Sequence, residues 1–271
     1  MRPFFENNVL QQQPFKPMII VVDTTKAGSA SNTFVLPIVK AASETVKIYW
    51  GDGTNSTGVN GNNTHVYAAS GVYTVKIESK IFGGLYFNNG GDKAKITKIA
   101  NYGQGVSRLN IGSFYGCSSL LSIDIGNIVS NGVSASNQYR DCTALTTVPL
   151  LNLSSVTNAF AMFAYCAALT TVPLFNLSNC TSTRSMFFGC TSLTTIPLLD
   201  LSSVTDATNM FTGVTLTTQS YSDFLINLAT LPLQSGVSFH GGNSKYNPTA
   251  AIARAYLISN FGWTITDGGA A

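Results

Sequence analysis

The sequence predicts a mainly β chain with short helices, in which a β-sandwich is followed by a stacked solenoid of short repeats and a helical C-terminal cap. Three observations carry this: a repeat of about 24 residues in the middle of the chain, apolar–polar alternation before it, and two helix-like stretches after it.

The repeat is read from its columns. Cys117, Cys142, Cys166 and Cys190 lie 25, 24 and 24 residues apart, and a further step of 24 reaches Val214. Three residues before each stands an aromatic: Phe114, Tyr139, Phe163, Phe187 and Phe211. Met162, Met186 and Met210 precede the last three. Leu120, Leu145, Leu169 and Leu193 follow the cysteines, then Ile123, Val148, Val172 and Ile196, then Ile125, Leu150, Leu174 and Leu198. Ile128, Leu153, Leu177 and Leu201 form another column, and Cys180 shares one with Val156 and Val204. One such unit cannot enclose its own apolar face, but stacked units bury matching columns against one another. The β-branched residue in each -TTVPLL- or -TTIPLL- segment predicts a short strand ending before Pro149, Pro173 or Pro197, with inward residues on both sides of the proline. Residues 157–165, 181–189 and 205–213 read as helical or turn stretches that close each coil.

Before the repeats, residues 45–50 and 72–77 alternate at the period of a strand and flank the turn signal Gly51-Asp52-Gly53-Thr54. Strands are also expected at 18–23 and 34–39, completing a small sandwich. After Val214 the repeat decays. Residues 220–230 read as a helix with Ser220 or Ser222 as N-cap, residues 249–260 as a second helix, and residues 263–266 as a last strand. The expected organisation is an N-terminal anchoring arm over 1–17, a sandwich over 18–90, a solenoid over 91–214 and a cap over 215–271.

Composition bounds the function. Apolar residues make up 45% of the 271 and charged residues only 10%, against about 25% in ordinary globular proteins. The net charge of +3 is small and its lysines are scattered, so no nucleic-acid partner is expected. No run approaches the roughly 18 apolar residues of a membrane span, so no membrane insertion is expected. Glu6, Asn7, Asn8 and Gln11–13 break any signal-peptide pattern. Export by another route, such as packaging into a particle, or a mature fragment, is therefore expected.

Two resemblances follow. Trp50-Gly51-Asp52-Gly53-Thr54, His65-Val66-Tyr67 and Gly71-Val72-Tyr73-Thr74-Val75 resemble the PKD-type immunoglobulin-like β-sandwich. Leu193-Thr194-Thr195-Ile196-Pro197-Leu198-Leu199-Asp200-Leu201-Ser202-Ser203-Val204-Thr205, then Asn209-Met210-Phe211, resembles the BspA-type leucine-rich repeat. The tail through Gly262-Trp263-Thr264-Ile265-Thr266-Asp267-Gly268-Gly269 is similar to the end of such arrays. The resemblance implies a surface or adhesion role, as in bacterial surface proteins and phage virion proteins. The expected function is non-enzymatic: a phage virion component such as a fibre, tail or capsid-decorating protein, located at the virion surface. The alternatives are a bacterial cell-surface adhesin and a carbohydrate-binding accessory module.

Candidate site residues are few. Phe4, Phe5, Leu10 and Phe15 give the arm an apolar character suited to docking on another virion protein or a sister subunit, with a homo-oligomer left open. Thr147, Thr171 and Thr195, beside Thr146, Thr170 and Thr194, form hydroxyl files on the expected solvent face, where a host-surface protein or a glycan could bind. No catalytic set, cofactor site or metal site is expected. His65 reads as a strand-edge residue bonded to the turn, and His240 as a loop residue. Asp52 reads as a turn cap rather than a calcium ligand. The cysteines read as a small apolar ladder rather than disulfides, and the Met–Phe pairs as core.

Overall fold

The computed structural model describes residues 16–79, 83–102, 113–124 and 134–271. The arm residues Phe4, Phe5, Leu10 and Phe15 lie outside them. The chain is mainly β with two short helices, and its sheets are open.

β1 (Met18–Asp23) alternates as its sequence requires, with Met18, Ile20 and Val22 buried. It pairs antiparallel with β6 (Val72–Glu78), placing Ile20 opposite Val75. On its other side it pairs antiparallel with β8 (Ile96–Tyr102). The hairpin β3 (Val46–Tyr49) and β4 (Asn55–Gly58) extends the sheet beyond β6, and β9 (Ser122–Ile123) adds parallel to β8. A second sheet has β2 (Thr33–Val39) between β5 (Gly61–Val66) and β7 (Gly84–Leu85). Phe34, Leu36 and Ile38 of β2 join Ile20, Ile48 and Val75 in one core. The four expected strands are present. The structure adds the polar β4 and β5, the short β7, and β8 and β9, which lie beyond residue 90 and tie the following segment to the first sheet.

A buried ion pair fastens this junction. Lys95, fully buried, donates from Nζ to the carbonyls of Ser29, Ala30 and Thr33 at 3.0, 2.9 and 2.7 Å. Asp92 lies 3.8 Å from the ammonium and accepts from the N–H groups of Ser29 and Val35 and from the Ser29 hydroxyl. Each charge thus has the hydrogen bonds that burial demands.

From residue 113 onward the chain forms stacked turns. The N–H groups of Ala135, Asn137, Tyr139 and Asp141 donate to the carbonyls of Asn158, Phe160, Met162 and Ala164 in the next turn. Ala159, Ala161, Phe163 and Tyr165 repeat the pattern onto Ser182, Arg184, Met186 and Phe188. Parallel bridges connect Ser134, Asn158, Ser182 and Asp206 in series. The rings of Phe114, Tyr139, Phe163, Phe187 and Phe211 stack nearly parallel, with centroids 6.0, 5.6, 5.8 and 5.5 Å apart. Met162, Met186 and Met210 and the cysteine column are buried beside them. Threonine hydroxyls add side-chain rungs: Thr170 to the Thr146 carbonyl, Thr181 to that of Thr157 and Thr205 to that of Thr181. The stack begins earlier than the repeat columns indicate. Phe87 and Asn89 donate to Ser113 and Tyr115 from a preceding layer.

Two expectations about these turns are corrected. The -TTVPLL- segments are not regular strands. The ladder between turns runs through residues 134–141 and their counterparts, where alternate N–H groups face the next turn, while each proline offers no donor. Nor do inward residues flank the prolines on both sides. Leu150, Leu174 and Leu198 are 64%, 57% and 50% exposed, whereas Leu151, Phe175 and Leu199 are buried. At the last of these sites the reason is visible: the Leu199 N–H donates to the Pro197 carbonyl at 2.8 Å, a three-residue turn that breaks the period of two.

The cap combines α1 (Thr218–Leu228), β10 (Ser238–His240), α2 (Pro248–Phe261) and β11 (Thr264–Thr266). Thr217, not Ser220 or Ser222, caps α1, accepting from the Ser220 N–H. Asn247 caps α2 through the Ala250 N–H, and left-handed Gly262 ends it. β10 and β11 pair parallel, and Phe239 and Trp263 carry the aromatic core onward from Phe211.

Candidate functional site

Thr147, Thr171 and Thr195 are exposed, one per turn. Beside them runs the exposed file Leu150, Leu174 and Leu198, which sequence reasoning assigned to the core. The signal that could have revealed it is the doublet after each proline: Leu150-Leu151, Leu174-Phe175, Leu198-Leu199. Of two successive apolar residues in a thin layer, only one can face inward.

The face ends in a cleft of about 590 Å³ between the last regular turn and α1, lined by Thr195, Ile196, Leu198, Ser220, Asp223 and Ile226 among others. Ser220 holds its walls together: its hydroxyl accepts from the Ile196 N–H at 3.0 Å and donates to the Ile196 carbonyl at 3.4 Å. The Thr217 N–H reaches the Thr194 carbonyl at 2.9 Å. Asp223 sets one carboxylate at the rim, accepting from Gln219 Nε2 at 2.8 Å. The face thus offers apolar side chains, hydroxyls and a single acid.

The cysteines, Asp52 and both histidines are engaged in structure. All five cysteines are buried and unpaired. The thiols of Cys142, Cys166 and Cys190 donate to the carbonyls of Phe114, Tyr139 and Phe163 at 3.3, 3.1 and 3.0 Å. Burial pushes these thiols up, to about 12 for Cys190, so they are poor nucleophiles at neutral pH. Asp52 caps its turn by accepting from the N–H and hydroxyl of Thr54. Its other oxygen meets His65 Nε2 at 2.8 Å, and the His65 ring stacks on Trp50 with centroids 4.7 Å apart. Burial raises Asp52, but the bonds from Thr54 and His65 outweigh it and hold the carboxyl at about 2. His240 is not a loop residue: it ends β10, and its Nδ1 accepts from the Gly242 N–H. Among the described residues, no three His, Cys, Asp or Glu side chains cluster as metal ligands, and no helix is long and apolar enough to cross a membrane.

With this geometry in place, residues 113–224 match a family model described as a Mycoplasma protein of unknown function, DUF285. The matched span runs from the turn at residue 113 into α1, taking in the cleft lining as far as Asp223 and stopping short of Ile226. No curated protein and no solved structure matches the chain.

Proposed function

We propose that this chain is a non-enzymatic display and adhesion protein: a leucine-rich-repeat solenoid of the BspA type, carried by a PKD-like sandwich, that presents one face to a host-surface protein or glycan. The observation that carries this reading is the file Leu150, Leu174 and Leu198, exposed in register with Thr147, Thr171 and Thr195 and running into the cleft against α1. Three aligned apolar side chains that are half or more exposed suit a contact with another molecule. The non-enzymatic part is supported by the thiols, which serve as donors within the stack, and by both histidines, which bond to their own neighbourhoods.

The setting we propose is a virion surface, with the apolar residues Phe4, Phe5, Leu10 and Phe15 of the arm docking on another virion protein or a sister subunit. A second setting, the bacterial cell surface, rests on the BspA-type resemblance; the matching family's description names a bacterial source and no location. Immunogold labelling of intact particles and intact cells separates the two, and labelling only inside cells would sink both. On particles, deletion of residues 1–17 is expected to abolish incorporation. The face is tested by changing Leu150, Leu174 and Leu198 together to Ser. Attachment should fall at least tenfold with the fold intact, and unchanged attachment would remove the face from the reading.

A further inference from the structure

Every turn of the stack bends through a left-handed residue just before the cysteine column. Gly116, Asp141, Tyr165, Gly189 and Gly213 occupy this position, with φ of 83, 58, 62, 68 and 81°. Glycine accepts such a conformation freely and aspartate tolerates it, but a large aromatic side chain there is strained. Burial does not repay the strain, because Tyr165 is 42% exposed. Strain of this kind, held by its surroundings, gathers where a side chain must be presented.

The surroundings of Tyr165 are specific. A Cβ on Gly189 would stand 2.9 Å from Tyr165 Cδ1, so the ring lies where the next turn has no side chain. Phe188 meets it edge-on at 5.1 Å. The Arg140 guanidinium carbon sits 5.6 Å from the Tyr165 ring centroid and 5.3 Å from that of Tyr115. Three successive turns thus contribute Tyr115, Arg140 and Tyr165 in one file. Arg140 makes one long bond, from Nη1 to Asn137 Oδ1 at 3.5 Å, and its Nε is buried without a partner. Among the described residues it is in no salt bridge. Its chain neighbour Asp141 carries the nearby negative charge. Lys93 adds a second cation, its stem passing 2.7 Å from where a Gly116 Cβ would be. Among the described residues, two cations here stand against one carboxylate and leave a single positive excess.

We propose that Tyr115, Arg140 and Tyr165 form a binding site for a carboxylated sugar. An exposed tyrosine face stacks against the C–H face of a pyranose, and a guanidinium held between rings offers its fork to a carboxylate in two parallel hydrogen bonds. The single charge excess suits one carboxylate rather than a polyanion. The site rests on the adhesion reading above and gives it a ligand class, on a set of residues separate from the leucine file.

The test uses the whole chain and two acidic probes, 3′-sialyllactose and a hyaluronan tetrasaccharide, each paired with its neutral counterpart, lactose or the carboxyl-reduced tetrasaccharide. Binding is followed by calorimetry and saturation-transfer NMR, with unfolding midpoints measured in parallel. At least one acidic probe should bind, its neutral partner should bind at least tenfold more weakly, and Arg140→Gln and Tyr165→Gly should each lose at least tenfold in affinity. Tyr165→Gly, which relieves the left-handed strain, should unfold no earlier than the parent; a tyrosine kept only for packing would give an earlier midpoint. Should that variant unfold early, Arg140→Gln decides. Equal binding of acidic and neutral probes, binding of neither acidic probe, or an Arg140→Gln chain that binds like the parent would each overturn the proposal. None of these results bears on attachment through Leu150, Leu174 and Leu198, so the two readings fail separately.

Discussion

Replacing Leu151 or Leu150 by alanine, one at a time, tests which leucine after the proline belongs to the core. Leu151 is 1% exposed and packs within the continuous core, while Leu150 is 64% exposed. Removing three buried carbons from a close-packed site forfeits their transfer free energy and leaves a cavity, together about 2–5 kcal/mol for Leu→Ala. Full burial of a leucine side chain is worth roughly 1.5–3 kcal/mol, and Leu150 keeps only about a third of that burial, so its loss should stay below about 1 kcal/mol. Urea unfolding measures both, read from midpoint and slope together, because stacked arrays can lose two-state behaviour and a changed slope would announce it. Equal losses, or a larger loss for Leu150→Ala, would refute the inward–outward assignment and with it the exposed leucine file.

Three further outcomes are expected. Lys95→Met strands the Asp92 carboxylate and the carbonyls that received the ammonium, and should cost about 3–5 kcal/mol in the same assay; a loss under about 1 kcal/mol would mean the pair does not fasten the junction. Asp52 is held at about 2, below its ordinary 3.8. Its folded pKa is depressed, so its contribution is complete above about pH 4 and fades as pH falls toward 2. Asp52→Asn should therefore lower stability at neutral pH and flatten the acid decline, and an unaltered pH profile would contradict the assignment. The five buried thiols should resist a disulfide reagent in the folded chain and all react in denaturant; rapid labelling of the folded chain would show that the cysteine column is open.

Much of the fold could be read before any coordinates, and the parts that could not share a cause. The Cys–Phe–Leu columns and the alternation in residues 18–23 report side chains whose burial is fixed by local period, and each is buried as expected. Leu150, Leu174 and Leu198 were misread because a period-two argument assumes regular strand geometry, and at Pro197 the chain turns instead. Ser220 looked like a helix cap because its side-chain chemistry suits one. In the fold that hydroxyl serves Ile196, 24 residues earlier, and Thr217 does the capping. His65 does bond to the turn as its sequence context indicates, reaching Asp52 from β5 in the other sheet. The cleft and the Tyr115–Arg140–Tyr165 file each draw on chain segments that the sequence separates by a turn or more. Burial within a unit is legible from its pattern; contact between units requires knowing which residue follows which along the stack.

The direction of the hydrogen bonds explains why the two ends of the stack are built differently. Along residues 135–141 and their counterparts, N–H groups donate forward to carbonyls of the next turn, as Tyr139 does to Met162 and Phe163 to Met186, while on the threonine side they donate back, as Thr170 does to Thr146 and Thr205 to Thr181. On the first side a leading layer supplies donors, Phe87 and Asn89 to Ser113 and Tyr115, and on the second it supplies acceptors, the Thr97 and Ile99 carbonyls to Leu121 and Asp124. The last regular turn needs acceptors, and the His240 carbonyl takes the Phe211 N–H, while Gly241 passes its own N–H to Thr266 of β11. The cap meets the final edge in both directions, taking the Phe211 N–H at His240 and giving the Thr217 N–H to Thr194 and the Asn243 N–H to Val214, so the edge is covered without a repeat of the same sequence. Because the ends absorb the open hydrogen bonds, the side faces carry no structural duty of that kind. Exposed leucines on one side and a strained tyrosine beside an arginine can then be held there for contact with something else.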